Sequence, residues 1–153
     1  MALGASRDTG SYFCLMIGAS ESLKELRIVV VDDSPLIRDY LVDMFARLDG
    51  CQVVGLAADG IEGVKVIREL RPEIVVLDIA MPHRDGIDVL REIRKEDAKT
   101  VIIMFTADPS VGLEEICRRE GANHYLCKTE ILELVAICRE LCGAPRCRDR
   151  RRR

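Results

Sequence analysis

The chain has 153 residues, which suits one domain with a hydrophobic core of ordinary size. Apolar residues make up 48% and charged residues 32%, which excludes a disordered chain, and no stretch reaches the ~20 apolar residues of a membrane span. Six Arg and one Asp give residues 143–153 a charge of +5, which leaves −8 on the rest of a chain whose net charge is −3. An acidic body argues against a nucleic-acid groove in the folded part.

The first strand and helix are signalled directly after a short N-terminal leader. Residues 27–31 contain four consecutive aliphatic side chains, which is typical of a strand buried on both faces of a parallel sheet. Asp32 and Asp33 end this strand. Ser34 is a good N-cap and Pro35 a good first helical residue, so the first helix is predicted to begin there.

The same alternation of strand and helix repeats along the chain. Further strands are predicted at residues 52–56, 74–77, 100–105 and 125–127. Helices are predicted after Asp59-Gly60, Asp85-Gly86 and Ser110, and over the apolar stripe that begins at Ile131. Strands that alternate with helices at this spacing indicate an α/β fold, in which helices cover both faces of a parallel sheet.

The sequence indicates how the chain is divided into segments and in what state its cysteines are. We expect a mobile leader over residues 1–24, one folded domain over residues 25–142 and a basic, disordered tail over residues 143–153. The seven cysteines include no CxxC pair, so free thiols in a reducing cytosol are the simplest reading. The apolar run at residues 12–19 is too short for a membrane span.

Polar residues follow four of the predicted strands at the point where each strand ends. Asp32 and Asp33 follow the first strand, Asp78 the third, Thr106 the fourth and Lys128 the fifth. The carboxyl ends of parallel strands meet at one edge of the sheet, so we expect these side chains to converge. Carboxylate ligands without His or Cys favour Mg²⁺, which relieves the repulsion between the acids.

This set of residues predicts phosphoryl chemistry. Asp78 can attack phosphorus to give an acyl phosphate, while the metal and Lys128 offset charge on the transferring group and Thr106 donates a hydrogen bond to it. Taken singly, an acid at a strand end is commonly a helix cap, and Lys128 alone could be a surface ion pair worth under ~1 kcal/mol. Helix capping and a surface ion pair do not explain five such residues at one edge of the sheet.

Several motifs resemble the receiver domains of bacterial two-component response regulators over residues 26–141. They are Val30-Val31-Asp32-Asp33-Ser34-Pro35, residues 75–82 around Asp78, Asp85-Gly86, Phe105-Thr106-Ala107, and residues 121–128 ending at Lys128. The resemblance implies a flavodoxin-like, doubly wound (βα)5 fold with a five-stranded parallel sheet in the order 2-1-3-4-5.

The resemblance also implies a role for each site residue. Asp78 would be the phosphorylation site. Asp33, Asp78 and the backbone carbonyl of Ala80 would bind Mg²⁺, and Asp32 would act mostly through a water. Lys128 would pair with Asp78 before phosphorylation and with the phosphoryl group afterwards. Thr106 and Tyr125 would form the switch pair, with the hydroxyl moving in and the ring turning inward behind it.

By the same resemblance the chain is a cytoplasmic signalling switch that catalyses only its own phosphorylation and dephosphorylation. The donor would be a sensor histidine kinase or a histidine phosphotransfer protein. An unidentified downstream protein would bind the face formed by the fourth helix, fifth strand and fifth helix. The domain itself would touch neither nucleic acid nor membrane, and it would be a monomer or a phosphorylation-dependent dimer.

This sequence departs from most receivers at three positions. Thr129 follows Lys128 where most family members have Pro, so we predict a trans peptide there and a Thr129 hydroxyl that caps the last helix. Ala80 and Asp108 flank the expected path of the hydrolytic water, which leaves the lifetime of the phosphoryl group open.

Two other functions compete with a stand-alone receiver. The chain could be the receiver fragment of a DNA-binding transcription regulator that lacks its output domain. It could also be a phosphorylation-independent interaction module, whose usual mark is a missing acid or Lys. None of those residues is missing here.

Overall fold

The computed structural model describes residues 25–108 and 110–143. The strands are β1 (Leu26–Val31), β2 (Cys51–Ala57), β3 (Ile74–Leu77), β4 (Val101–Thr106) and β5 (His124–Cys127). The helices are α1 (Pro35–Ala46), α2 (Gly60–Leu70), α3 (Gly86–Glu96), α4 (Val111–Arg119) and α5 (Ile131–Leu141). The expected leader and almost all of the expected tail lie outside the described residues.

The five strands form one parallel sheet in the order β2-β1-β3-β4-β5, which confirms the predicted fold. Val31 at the end of β1 pairs with Leu77 at the end of β3, so the residues that follow them lie side by side. Thr106 likewise pairs with Cys127 at the ends of β4 and β5. This register brings the carboxyl ends of β1, β3, β4 and β5 to a common edge.

Two hydrophobic layers cover the sheet, one on each face. Alternate residues of β1 divide between them: Ile28 and Val30 pack with α1 and α5, whereas Val29 and Val31 pack with α2, α3 and α4. Because side chains alternate across a strand, a strand with both faces covered must be apolar throughout. The continuous aliphatic run at residues 28–31 satisfies that requirement.

The helix starts follow the capping residues that the sequence indicated, with one exception. Ser34, Asp59 and Asp85 cap α1, α2 and α3 through their side chains, although the bond from the Ile37 N–H to Ser34 is long at 3.4 Å. The predicted Thr129 cap is wrong: α5 begins at Ile131, and its N-cap residue makes no side-chain capping bond. None of the described helices is long and apolar enough to cross a membrane.

Candidate functional site

Three carboxylates meet at the carboxyl edge of the sheet. Asp32 and Asp33 directly follow β1, and Asp78 directly follows β3. One oxygen from each carboxylate lies within 4.8 Å of those of the other two. Asp32 and Asp78 are only 2% and 4% exposed, whereas Asp33 is exposed. The structure therefore brings together the three acids that the sequence selected.

Lys128 supplies a positive charge to this acidic pocket. It follows β5, and its ammonium nitrogen lies 2.7 Å from Oδ2 of Asp32 and 3.0 Å from Oδ2 of Asp78. Burial alone would lower the pKa of Lys128, but hydrogen bonds to the two acids and their charges outweigh burial and raise it. The lysine is therefore held in its charged form between two carboxylates.

The Asp78 carboxylate is fixed through both of its oxygens. Oδ1 accepts a hydrogen bond from the Ile79 N–H at 2.8 Å, and Oδ2 accepts one from Lys128. Burial raises the pKa of Asp78 above its ordinary value; the hydrogen bond from Lys128 opposes the rise, and the charge of Asp32 adds to it. A second positive charge near this carboxylate would therefore favour its ionised form.

Two hydrogen bonds from the start of α1 fix Asp32 in the pocket. The Ser34 N–H donates to Oδ1 of Asp32 at 2.9 Å, and the Arg38 guanidinium donates to the Asp32 carbonyl oxygen at 2.6 Å. Sequence reasoning did not select Arg38. Its position one turn into α1, on a helix that starts at the acids, is the only signal that could have found it, and the same signal would select residues with no such contact.

Thr106 and Tyr125 lie on neighbouring strands beside the pocket. Thr106 is buried at the end of β4, and its hydroxyl oxygen accepts a hydrogen bond from the Asp108 N–H at 3.2 Å. The half-buried Tyr125 donates its hydroxyl to the Asp108 carbonyl oxygen. Burial raises the pKa of Tyr125 to about 12, with smaller contributions from neighbouring thiols and acids. The β4–α4 turn therefore links the hydroxyl of one residue to the ring of the other.

The residues where the chain departs from the family pattern have clear positions. Ala80 is exposed, and its methyl side chain brings no polar group to the pocket. No described peptide bond is cis, which agrees with the predicted trans Lys128-Thr129 bond. The Thr129 hydroxyl and N–H instead hydrogen-bond the sulfur of Cys127 and thereby lower the pKa of that thiol.

The donor set of the pocket fits a hard divalent cation. Carboxylate oxygens are the ligands that Mg²⁺ prefers in proteins, and neither His nor Cys belongs to the described three-residue cluster. The three acids face the single ammonium of Lys128, so a net charge of −2 remains uncompensated. A bound cation would offset that charge.

Comparison with known proteins identifies the family of this arrangement. The family model for the response regulator receiver domain matches residues 28–139. A protein-glutamate methylesterase/protein-glutamine glutaminase of Koribacter versatilis is 41% identical over 107 residues, which cover 69% of this chain and 29% of that enzyme. Other matching curated relatives are likewise covered over about half of their length or less.

Solved structures of similar fold give the same family. A two-component response regulator of the LuxR family from Aurantimonas has a TM-score of 0.73 and 32% identity, covering 78% of this chain and 86% of that chain. The CheX–CheY–BeF3–Mg complex from Borrelia burgdorferi has a TM-score of 0.68 and 29% identity, covering 74% of this chain and 88% of that chain.

Proposed function

This chain belongs to the response regulator receiver family of two-component signalling, and on that premise we propose that it accepts a phosphoryl group on Asp78 in a Mg²⁺-dependent reaction in the cytoplasm. The observation that carries the proposal is the position of the Asp78 carboxylate, which lies buried between two further acids and the ammonium of Lys128.

The chemistry follows from how Asp78 is held. Its carboxylate attacks the phosphorus of a phosphohistidine, an O–P bond forms, the P–N bond breaks and the imidazole leaves with the bonding electron pair and takes up a proton. Ile79 and Lys128 fix the carboxylate before attack. Lys128 then stabilises the phosphoryl oxygens. A Mg²⁺ ion held by Asp33, Asp78 and the Ala80 carbonyl, with Asp32 acting through a water, would neutralise charge on the phosphoryl group.

The switch we propose runs through the β4–α4 turn. Thr106 would turn its hydroxyl toward the phosphoryl oxygens and release the Asp108 N–H that it now accepts from. That turn also accepts the hydroxyl of Tyr125, so its movement reaches the face formed by α4, β5 and α5. We propose that this face binds the downstream partner, and that a sensor histidine kinase or phosphotransfer protein supplies the phosphate.

A direct labelling experiment tests the acceptor. The protein should take up label from a ³²P-labelled small acyl phosphate in the presence of Mg²⁺. It should take up none when EDTA is added beforehand. Asp78→Asn should abolish labelling. Asp43→Asn, an exposed aspartate on α1, should label like the wild type. Label retained by the Asp78→Asn protein would overturn the assignment.

A spectroscopic experiment tests the switch separately. Beryllofluoride with Mg²⁺ mimics an acyl phosphate, so it should shift the backbone NMR signals of Thr106, Asp108 and Tyr125 in the wild type. The Asp78→Asn protein should show no such shifts. If the wild-type protein takes up label but these signals do not move, phosphorylation stands and the proposed switch path does not.

A second candidate is the receiver part of a DNA-binding transcription regulator. The observation that favours it is the likeness to a LuxR-family regulator. The genomic sequence beyond codon 142 distinguishes the two, because a regulator that has lost its output domain would still have DNA-binding-domain coding sequence there.

A further inference from the structure

The loop that carries Lys128 is short and lies at an open edge of the sheet. It consists of residues 128–130, between the end of β5 and the start of α5. Strand β5 has only four residues, and its one neighbouring strand is β4. The Lys128 N–H donates to the Thr106 carbonyl oxygen of β4 at 2.7 Å. Since successive N–H groups of a strand point in opposite directions, the Cys127 N–H points away from β4, toward the open edge.

Glu130 accepts that N–H and closes a ring around Lys128. Its Oε2 accepts the Cys127 N–H at 2.7 Å, and its own N–H donates to the Cys127 carbonyl oxygen at 2.8 Å. Two hydrogen bonds therefore join the residue before Lys128 to the residue two positions after it. A carboxylate acceptor makes the first of these bonds roughly twice as strong as a bond between neutral groups. The backbone of Lys128 is held between the two bonded residues.

The position of Glu130 in the sequence suggests a different role. It is the N-cap residue of α5, where an acidic side chain could accept N–H groups of the first helical turn. Its side chain makes no such bond and turns back to Cys127 instead. The carboxylate therefore stabilises the loop after β5 rather than the start of the helix.

Thr129 makes a second contact with Cys127. Its hydroxyl and its N–H hydrogen-bond the Cys127 sulfur. Sulfur is a weak acceptor, so this contact restrains the loop less than the carboxylate of Glu130 does. Of the two side chains that follow Lys128 in the loop, Glu130 is the one that makes a strong bond to the main chain.

Lys128 depends on this loop because its side chain is long and flexible. Its ammonium nitrogen lies 2.7 Å from Oδ2 of Asp32 and 3.0 Å from Oδ2 of Asp78, and the side chain is 17% exposed. The ammonium is a point charge at the end of a stem with several rotatable bonds. It keeps its contacts with both carboxylates only while the backbone of Lys128 keeps its place. Contacts that fix this backbone therefore also fix the ammonium.

We propose that Glu130 is a positioning residue, which holds Lys128 in place for phosphoryl transfer through its hydrogen bond to the Cys127 N–H. The proposal rests on the proposed acceptance of phosphate by Asp78, since Lys128 acts on the phosphoryl group there. Glu130 is exposed, so solvent and salt screen its charge. The hydrogen bond, rather than the charge, therefore carries its effect on Lys128.

The reactivity of Lys128 tests the hold on this residue without any phosphorylation. In the wild type, Asp32 and Asp78 keep the amine charged and shielded, so it should react slowly with sulfosuccinimidyl acetate. Glu130→Ala should raise its acetylation rate about tenfold, because one charge-assisted hydrogen bond is lost. Mass spectrometry measures this rate against that of the exposed Lys65 in the same sample.

A neighbouring acid supplies the matched control. Glu133→Ala removes an exposed acidic side chain from the first turn of α5 and should leave the acetylation rate of Lys128 unchanged. Equal Lys128 rates in the wild type and in Glu130→Ala would overturn the inference, whether or not the protein accepts phosphate.

The rate of phosphate labelling tests the role in transfer. At saturating Mg²⁺ and saturating labelled acyl phosphate, Glu130→Ala should lower the first-order rate constant about tenfold. Glu130→Gln should keep most of the wild-type rate, because its amide oxygen can accept the same N–H although the charge is gone. Equal losses in the two variants would overturn the inference. A wild-type protein that takes up no label would contradict the proposed function instead, while the acetylation rates would still test the hold on Lys128.

Discussion

Gly86 shows how closely the backbone is packed against Asp78, the proposed phosphoryl acceptor. It is the first residue of α3, its N–H donates to the Ile79 carbonyl oxygen at 2.9 Å, and a Cβ there would lie 2.0 Å from the Asp78 carbonyl oxygen. Backbone atoms cannot yield as the end of a flexible side chain can. The residue is a glycine because the loop after Asp78 returns directly over its peptide.

We expect Gly86→Ala to destabilise the protein by about 3 kcal/mol and to displace Asp78, with a matching loss of phosphate labelling. Gly112→Ala is the control, because a Cβ on this α4 glycine meets nothing within 4 Å. It should stabilise the protein by about 0.5–1 kcal/mol, since alanine favours helix more than glycine. Urea denaturation of both variants measures the difference, and equal effects would contradict this account.

The buried thiol of Cys138 predicts the behaviour of the protein at alkaline pH. Burial raises its pKa from an ordinary value of 9.0 to about 12, and the neighbouring thiols of Cys51 and Cys142 add to the rise. In the unfolded chain the thiol loses its proton near pH 9, while in the folded chain it keeps it. The unfolded state then binds fewer protons, so stability falls as pH rises from about 9 to 12.

The expected slope from this one thiol is up to about 1.4 kcal/mol per pH unit. Cys138→Val removes the titrating group and keeps an apolar side chain, so its stability should fall less steeply over the same range. Urea unfolding measured between pH 8.5 and 10.5 compares the two proteins. An unchanged slope in the variant would show that Cys138 does not control this loss.

At the scale of residues, the sequence predicted which acids and which lysine meet, and it could not predict how they are held. Each acid and Lys128 follows a strand, so sheet topology alone brings them together. The contacts made by Arg38 and Thr129 depend on side-chain directions within a helix turn and a loop. No periodicity in the sequence specifies those directions, and for Thr129 the prediction of a helix cap was wrong.

At the scale of elements, the helix starts differ in how they are capped. The Asp59 carboxylate accepts the N–H groups of Ile61 and Glu62 at 2.8 and 2.9 Å at the start of α2. Ser110 occupies the same position before α4 and makes no side-chain capping bond. The two helices therefore offer a matched pair for measuring what a cap contributes.

Asp59→Ala should lower the free energy of unfolding by about 1 kcal/mol, because two N–H groups lose their acceptor. Ser110→Ala should change it by less than about 0.5 kcal/mol. Thermal or urea unfolding measures both. A larger loss for the Ser110 variant would reverse the assignment of the caps.

Element boundaries were predicted to within about two residues, and the differences have physical causes. The strands extend by one residue or shift by one where neighbouring strands offer pairing partners, as at Cys51 and Thr106. Helix α2 ends at Leu70, and Arg71 takes a left-handed conformation with φ of 45°. Such an ending normally falls on glycine, so the sequence contains no clear signal for it.

At the scale of the whole molecule, the sheet order came from the family resemblance rather than from periodicity. Alternating strands and helices indicate a parallel sheet, but several strand orders satisfy the same alternation. The motifs around Asp32, Asp78 and Lys128 selected one of them. A groove of about 760 Å³ at the opposite edge, where β1, β3 and β4 begin, could not be foreseen, because it depends on where three helices end relative to three strands.

Mg²⁺ should stabilise the whole fold through the acidic pocket. At a free concentration of one hundred times its dissociation constant, the ion should add about 2.7 kcal/mol and raise Tm by roughly 10 °C. EDTA should reverse the rise. Asp33→Asn should remove most of it, while Asp39→Asn, an exposed residue of α1 outside the acid cluster, should keep it. Scanning fluorimetry with and without the ion measures each case, and an equal rise in both variants would place the ion elsewhere.

The pairing of Lys128 with Asp32 and Asp78 has a consequence for the newly synthesised protein. The ribosome makes all three acids well before it makes β5, and the ammonium of Lys128, which offsets part of their charge, arrives only after that last strand. A truncated or half-finished copy would therefore hold mutually repelling carboxylates without the Lys128 ammonium, and it could not form the complete acidic pocket. Incomplete molecules should therefore fail to take up phosphate in the proposed reaction.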